Sequence, residues 1–62
     1  MPNSIAAYRK SIGLSQVELA DKLKISVSYL NKIERGKSVP SLRLAIRIAT
    51  ILKVPVETIF HD

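Results

Sequence analysis

Cysteine and tryptophan are absent from the 62-residue chain, which also has only two glycines and three prolines. The lack of cysteine excludes disulfide bonds and thiolate metal sites, so one small hydrophobic core must stabilise the fold. Few glycines and prolines, together with 47% apolar residues, argue against disorder. No apolar run is long enough to cross a bilayer, and the first residues lack a signal-peptide pattern. We therefore expect a single cytoplasmic domain over residues 1–62.

Acidic residues are also scarce, since five Asp and Glu stand against ten Lys and Arg, giving a net charge of +5. Between Lys22 and Arg47 there are seven basic residues and one acidic residue, Glu34, so this stretch carries +6. Such a concentration of positive charge predicts a polyanionic partner. The alternative interpretation is a merely solvated face.

Groups that support catalysis or metal binding are nearly missing. The one histidine, His61, lies beside the C-terminus. Glu18 and Asp21 stand next to Lys22, which predicts a salt-bridged helix face rather than a catalytic pair. Metal ligands and a glycine-rich phosphate loop are lacking. We expect no enzymatic activity, no metal and no cofactor.

Five segments show apolar residues three and four apart, and most of them open with a small capping residue, which predicts an all-α fold. The predicted helices cover about residues 4–12, 15–24, 26–35, 41–53 and 55–60. Ser15 and Glu18 have the spacing of a capping box at the start of the second helix. The predicted inward residues are Ile5, Tyr8, Ile12, Val17, Ala20, Leu23, Leu30, Ile33, Leu42, Ala45, Ile48, Ala49 and Leu52.

The second and third helices are separated by about three residues, too few for antiparallel packing, so they must cross at a steep angle. This spacing predicts a helix-turn-helix at about residues 16–34, whose second helix can enter a DNA major groove. Ala20 is small enough to let the crossing helices approach each other.

The sequence resembles the lambda-repressor-like DNA-binding domains of phage Cro and Xre-type regulators over almost its whole length. The matching residues are Tyr8-Arg9, Gly13-Leu14-Ser15-Gln16, Glu18-Leu19-Ala20, Leu23, Ile33-Glu34-Arg35-Gly36-Lys37, Pro40-Ser41-Leu42, Ala49 to Leu52, Val54-Pro55-Val56-Glu57 and Ile59-Phe60. One departure is Lys24, where the family usually has glycine in the turn between the two helices. A left-handed lysine there costs on the order of 1 kcal/mol.

The resemblance implies a compact five-helix domain that binds duplex DNA as a homodimer and regulates transcription in the cytoplasm of a bacterium or phage host. Its third helix would read bases through Val27, Ser28, Asn31 and Lys32, whose alternatives are core packing for Val27, solvation for Asn31 and a phosphate contact for Lys32. The residues expected to contact phosphates are Gln16, Tyr29, Arg35, Lys37, Ser41 and Arg43. Exposure without contact is the alternative for Gln16, and partial burial is the alternative for Tyr29. Arg9 and Glu34 are similar to a family pair that links the first and third helices.

An apolar excess on the fourth helix predicts the dimer interface. Leu44 and Ile51 lie seven residues apart beside the predicted inward face, and Val54 and Phe60 follow nearby. The alternative is burial of these residues inside the monomer. A second functional class also stays open, that of an antitoxin or anti-repressor which binds another protein. A third interpretation, a basic amphipathic membrane binder, is weaker because the apolar faces suit a common core.

Overall fold

A computed structural model describes residues 3–60, and it confirms the predicted five-helix all-α fold. The helices are α1 (Ile5–Ser11), α2 (Gln16–Leu23), α3 (Val27–Glu34), α4 (Leu42–Leu52) and α5 (Val56–Ile59). Within the described residues, the only pairing of β type is one isolated bridge between Asn3 and Phe60. None of these helices has the length and apolar character that would be needed to cross a membrane.

Serine residues begin the three central helices. The hydroxyl oxygens of Ser15, Ser26 and Ser41 accept hydrogen bonds from the backbone N–H groups three residues further on, at 3.0, 3.0 and 3.2 Å. Each bond satisfies an N–H group that has no partner within its own helix. At α2 the Glu18 carboxylate also accepts from the Ser15 N–H at 2.8 Å, which completes the predicted capping box.

Left-handed backbone conformations occur in the segments after α1, α2, α3 and α4. Gly13 and Gly36 have φ values of 79° and 75°, as glycine at helix ends allows. Lys24 and Lys53 adopt φ values of 60° and 63° at the C-caps of α2 and α4. The strained lysine predicted in the turn between α2 and α3 is therefore present.

All five helices contribute to one core. Its fully buried large side chains are Ile5, Leu19, Leu23, Leu30, Ile33, Ile48, Leu52 and Ile59. The two ends of the described chain meet beside it, because the Ser4 N–H donates to the Ile59 carbonyl at 2.9 Å. Asn3 adds a second tie, since its Nδ2 donates to the Ile33 carbonyl at 2.8 Å.

Several predicted inward residues are instead exposed. Leu42 is 73% exposed and Val17 is 63% exposed, whereas Leu44 is only 8% exposed. The helical period places Leu42 and Leu44 on opposite flanks of one α4 stripe, and α4 packs against α1, α2 and α5 so that the flank of Leu44 is covered. In α2 the buried stripe is centred on Leu19, Ala20 and Leu23.

Ile12 is exposed as well. It follows the last residue of α1 as its C-cap, so it lies at a helix terminus where the chain leaves the shared core. Val27, the first residue of α3, is exposed and lies on the outward face of that helix.

Replacing Lys24 by glycine tests the strain in the turn. We expect Lys24→Gly to raise the free energy of unfolding by up to about 1 kcal/mol, because relief of the left-handed strain outweighs the extra backbone entropy of glycine. Chemical denaturation measures the change. Lys22→Gly, inside α2, is the matched control and should instead lower the free energy of unfolding by about 1 kcal/mol. A loss of stability from Lys24→Gly would contradict the assigned conformation.

Candidate nucleic-acid interface

The turn between α2 and α3 consists of Lys24, Ile25 and Ser26. Lys24 reverses the chain in the left-handed conformation, and Ser26 then caps α3 through its hydroxyl. Ile25 is half-buried and packs against the core, so the turn is anchored between its two polar ends. Because α2 and α3 also pack on each other through buried side chains, α3 is held as one unit with α2.

The outer face of α3 carries the residues predicted to read bases. Val27, Ser28 and Lys32 are exposed, and Asn31 is half-buried. Within the part of the chain that the structure describes, no hydrogen bond or ion pair engages the side chains of Ser28, Asn31 or Lys32. This face therefore offers a hydroxyl, an amide and an ammonium group, which together can donate to and accept from base edges.

The residues predicted to bind phosphate occupy different settings. Arg35 and Lys37 are exposed on either side of Gly36, and Arg43 is exposed in the first turn of α4. The Ser41 oxygen accepts from the Leu44 N–H, which leaves its own hydroxyl proton available to a phosphate. Tyr29 is half-buried and packs against the core, so its ring is partly covered, and a phosphate contact by its hydroxyl stays a prediction.

Gln16 has a partner that the sequence did not indicate. Its Nε2 donates to Glu34 Oε1 at 3.2 Å, across the junction between the first residue of α2 and the last residue of α3. The two residues are 18 positions apart, and a long-range amide–carboxylate contact has no local sequence signal. Gln16 is half-buried rather than freely solvated.

Arg9 and Glu34 form the ion pair that the resemblance implies. Arg9 Nε donates to Glu34 Oε2 at 2.8 Å, and Arg9 Nη2 donates to Glu34 Oε1 at 3.1 Å. The two side chains are only 9% and 6% exposed. Arg9 Nη1 also donates to the Leu14 carbonyl at 3.0 Å, so the guanidinium joins α1, the following turn and α3. Arg9 is thus occupied inside the protein and is not presented to DNA.

The predicted dimer surface is not one surface. Leu44 belongs to the core, so its assignment to a free apolar face is wrong. Ile51 lines a cleft of about 540 Å³ with Ile12, Leu14, Lys22, Thr50 and Lys53. Phe60 lines a separate groove of about 270 Å³. Val54 is half-buried and packs against the core.

The groove beside Phe60 is an apolar feature that the sequence analysis missed. Its lining residues are Val39, Pro40, Leu42, Ala45, Val56 and Phe60. Val39 and Leu42 are among the most exposed large apolar side chains. The signal that could have found it is the group of apolar residues at positions 39, 40 and 42, which spans the end of the loop after α3 and the first residue of α4.

Among residues 3–60, no group of His, Asp or Glu side chains is arranged to hold a metal ion. His61 lies outside the described residues. The Glu18 carboxylate accepts from the Ser15 N–H in the capping box.

Comparison with known proteins identifies the architecture. The helix-turn-helix family profile matches residues 5–59. An uncharacterised HTH-type transcriptional regulator of Methanocaldococcus jannaschii is 43% identical over 97% of this chain and 91% of that protein. The regulator SinR of Bacillus subtilis is 37% identical over 94% of this chain but only 53% of its own length.

Two solved structures extend the comparison. The restriction-modification controller protein C.AhdI of Aeromonas hydrophila superimposes with a TM-score of 0.81 and 32% identity, covering 90% of this chain and 85% of that one. SinR in complex with DNA gives a TM-score of 0.78 and 40% identity, covering 87% of each chain. The resemblance drawn from the sequence is therefore confirmed.

The capping box at α2 makes stability depend on the ionisation of Glu18. Hydrogen bonds from the Ser15 N–H and the Ser15 hydroxyl, with Lys22 nearby, lower the pKa of Glu18 below its ordinary value. A lowered pKa in the folded state stabilises the fold above the pKa of the unfolded chain, and this gain is lost as pH falls through the folded value. Glu18→Gln should therefore be less stable than the parent at about pH 7, and the difference should shrink below about pH 4.5. Thermal melts of both proteins across this range measure it, and a difference that does not change with pH would contradict the assignment.

Proposed function

Because the chain belongs to the helix-turn-helix family of DNA-binding transcriptional regulators, we propose that it binds specific duplex DNA sequences as a homodimer on a palindromic operator and represses transcription from a nearby promoter. The cytoplasm is the compartment in which such a regulator meets its operator. The relatives are transcriptional regulators, which supports the expectation of no enzymatic activity.

The observation that carries this proposal is the outer face of α3. The side chains of Ser28, Asn31 and Lys32 have no hydrogen-bond or ion-pair partner among the described residues, and α3 is joined to α2 by a three-residue turn. Lys32 can donate to guanine O6 and N7, Asn31 can form a paired contact with adenine, and Ser28 can donate or accept. Val27 stands at the start of the same helix, where its methyl groups can contact a thymine methyl.

Phosphate contacts would supply most of the affinity and fix the register of α3 on the duplex. Four of the residues expected to contact phosphate lie in the segment that leads from the end of α3 into α4: Arg35, Lys37, Ser41 and Arg43. A fifth, Tyr29, is half-buried within α3. Gln16 stands at the start of α2, where free backbone N–H groups and the positive end of the helix dipole favour an anion. These contacts carry no direct sequence information.

For the proposed homodimer interface, the groove beside Phe60 replaces the surface that Leu44 and Ile51 were expected to form, because Leu44 is buried. Leu42 projects from the edge of this groove and is 73% exposed, so in a two-fold arrangement it can enter the groove of the partner. Such pairing would place two α3 helices about one DNA turn apart, roughly 34 Å. Ile51 and Val54 lie away from this groove and are secondary candidates.

A protein-interaction role is the second candidate function. A solved complex of SinR with the protein SinI shows that a relative with 40% identity assembles with another protein. In this chain, the groove lined by Leu42 and Phe60 and the cleft lined by Ile51 are the surfaces that suit a protein partner. If the chain is an antitoxin or anti-repressor, a variant that no longer binds any DNA would still bind its protein partner.

Two substitutions separate base reading from phosphate binding. Sites are first selected from a random duplex pool, and affinity is then measured on the selected and on random duplexes. Lys32→Ala should cost about 1–3 kcal/mol on the selected site and relax preference at one base pair per half-site. Arg43→Ala is the matched control and should weaken both duplexes alike.

Salt titrations complete this test. With about six to ten phosphates contacted by a dimer, affinity should fall about 10³- to 10⁵-fold between about 50 and 200 mM salt. A flat salt dependence, or no binding to any duplex, would overturn the DNA-binding proposal. A uniform loss from Lys32→Ala would move this residue to the phosphate-binding group.

The interface is tested by placing a charge on an exposed residue of the groove. Leu42→Glu should leave a folded monomer, because substitutions at exposed positions usually change stability by less than about 0.5 kcal/mol, and it should weaken operator binding. Ile46→Glu, on the exposed side of α4 outside the groove, is the matched control and should stay dimeric. Sedimentation equilibrium and circular dichroism measure both. A parent chain that stays monomeric on a palindromic operator would exclude the homodimer. If only Ile51→Glu disrupts the dimer, the interface lies instead at the cleft lined by Ile51.

A further inference from the structure

Glu34 accepts more hydrogen bonds than its ion pair requires. Its Oε2 accepts from Arg9 Nε, while its Oε1 accepts both from Arg9 Nη2 at 3.1 Å and from Gln16 Nε2 at 3.2 Å. The carboxylate is 6% exposed, so these donors replace nearly all of its hydration. One buried group therefore connects α1, the first residue of α2 and the last residue of α3.

The chemistry of a carboxylate determines which way the Gln16 amide points. An ionised carboxylate can only accept, so the amide must present its NH₂ group and not its oxygen to Glu34. One hydrogen of Nε2 then points to Glu34, and the second is directed away from it. Because Gln16 is only half-buried, this second N–H can reach a group outside the protein.

The charge balance around Glu34 permits a phosphate to approach. An unpaired carboxylate close to the start of α2 would repel an anion there. Arg9 donates two hydrogen bonds to this carboxylate and is 7% exposed, so it neutralises Glu34 from the inside without contacting DNA itself. The first turn of α2 also holds the Glu18 carboxylate, which accepts from the Ser15 N–H and is offset by the nearby Lys22, and the positive end of the helix dipole lies at the same turn.

We propose that Glu34, neutralised by Arg9, is a positioning residue that holds the Gln16 amide with one N–H directed at a DNA phosphate. This inference rests on the proposed DNA-binding function and adds a residue that acts on DNA without contacting it. Arg9 and Glu34 then couple the packing of three helices to the geometry of one phosphate contact. Gln16 is the contact residue.

The experiment separates positioning from stability by removing the ion pair without stranding a charge. The double variant Arg9→Met/Glu34→Met replaces both partners by apolar side chains of similar length, a type of change that buried pairs often tolerate. Thermal melts establish that it folds. Its affinity for a duplex is then compared with that of the parent, of Gln16→Ala and of the triple variant that combines all three substitutions.

Positioning through Gln16 predicts a specific pattern of affinities. Gln16→Ala should weaken binding about fivefold or more on selected and random duplexes alike, because a hydrogen bond to a charged phosphate is lost. The Met/Met variant should weaken binding by a similar factor. The triple variant should bind no more weakly than Gln16→Ala, because the ion pair acts only through that amide. The Gln16 side-chain amide resonances should also move to the values of a free glutamine in the Met/Met variant.

Each other outcome overturns the inference in a recognisable way. If the Met/Met variant folds and binds DNA like the parent, the ion pair is structural only. If it unfolds, the parent provides the second test: its Gln16 side-chain amide resonances are compared with those of a free glutamine, and free values would refute the contact with Glu34. If Gln16→Ala has no effect while Arg43→Ala weakens binding, this inference fails and the DNA-binding function stands. If neither variant weakens binding, the proposed function itself fails.

Discussion

The orientation of α3 depends on the buried ion pair between Arg9 and Glu34. Among the contacts of the described residues, this pair and the bond from Asn3 to the Ile33 carbonyl tie the end of α3 to the first segment of the chain, while Leu30 and Ile33 pack α3 into the shared core. Removing one partner of a buried pair typically costs about 3–5 kcal/mol, because a charge is stranded. A domain of this size has a total stability of about the same magnitude. Loss of Arg9 or Glu34 alone would therefore remove most of the stability of the fold, whereas replacement of both would remove the tie between α1 and α3 without stranding a charge.

The starts of the three central helices, in contrast, are determined by residues close to them in sequence. Helices of eight to eleven residues such as α2, α3 and α4 are too short to be stable alone in water, so they form only when their ends are capped and their faces share a core. Ser15, Ser26 and Ser41 each supply such a cap, worth about 1 kcal/mol. Because these caps act within three residues, the start of each central helix is set before any long-range contact forms.

Local contacts such as the helix caps could be predicted from the sequence, whereas contacts between residues far apart in the chain could not. The capping box at Ser15, the stops near Gly13 and Gly36 and the three-residue turn depend on neighbouring residues, and all of them are present in the structure. The sequence could not show that Leu44 rather than Leu42 is buried. Both flank the same helical stripe, and only the packing of α4 against α1, α2 and α5 decides which side chain is covered. The bond from Gln16 to Glu34 joins positions 18 apart and has no periodic signal.

The arrangement of α4 relates the proposed DNA contacts to the proposed dimer. Leu42 and Arg43 are neighbours in its first turn, and successive helix residues point about 100° apart, so an apolar groove and a cationic surface lie side by side. In the proposed dimer, pairing at the groove would fix the position of Arg43 relative to the two-fold axis. The spacing of the two half-sites would then follow from packing around Leu42, whereas the base preference within each half-site would follow from α3. The affinity for DNA, the spacing of the half-sites and the sequence preference would thus depend on different surface side chains of one small domain.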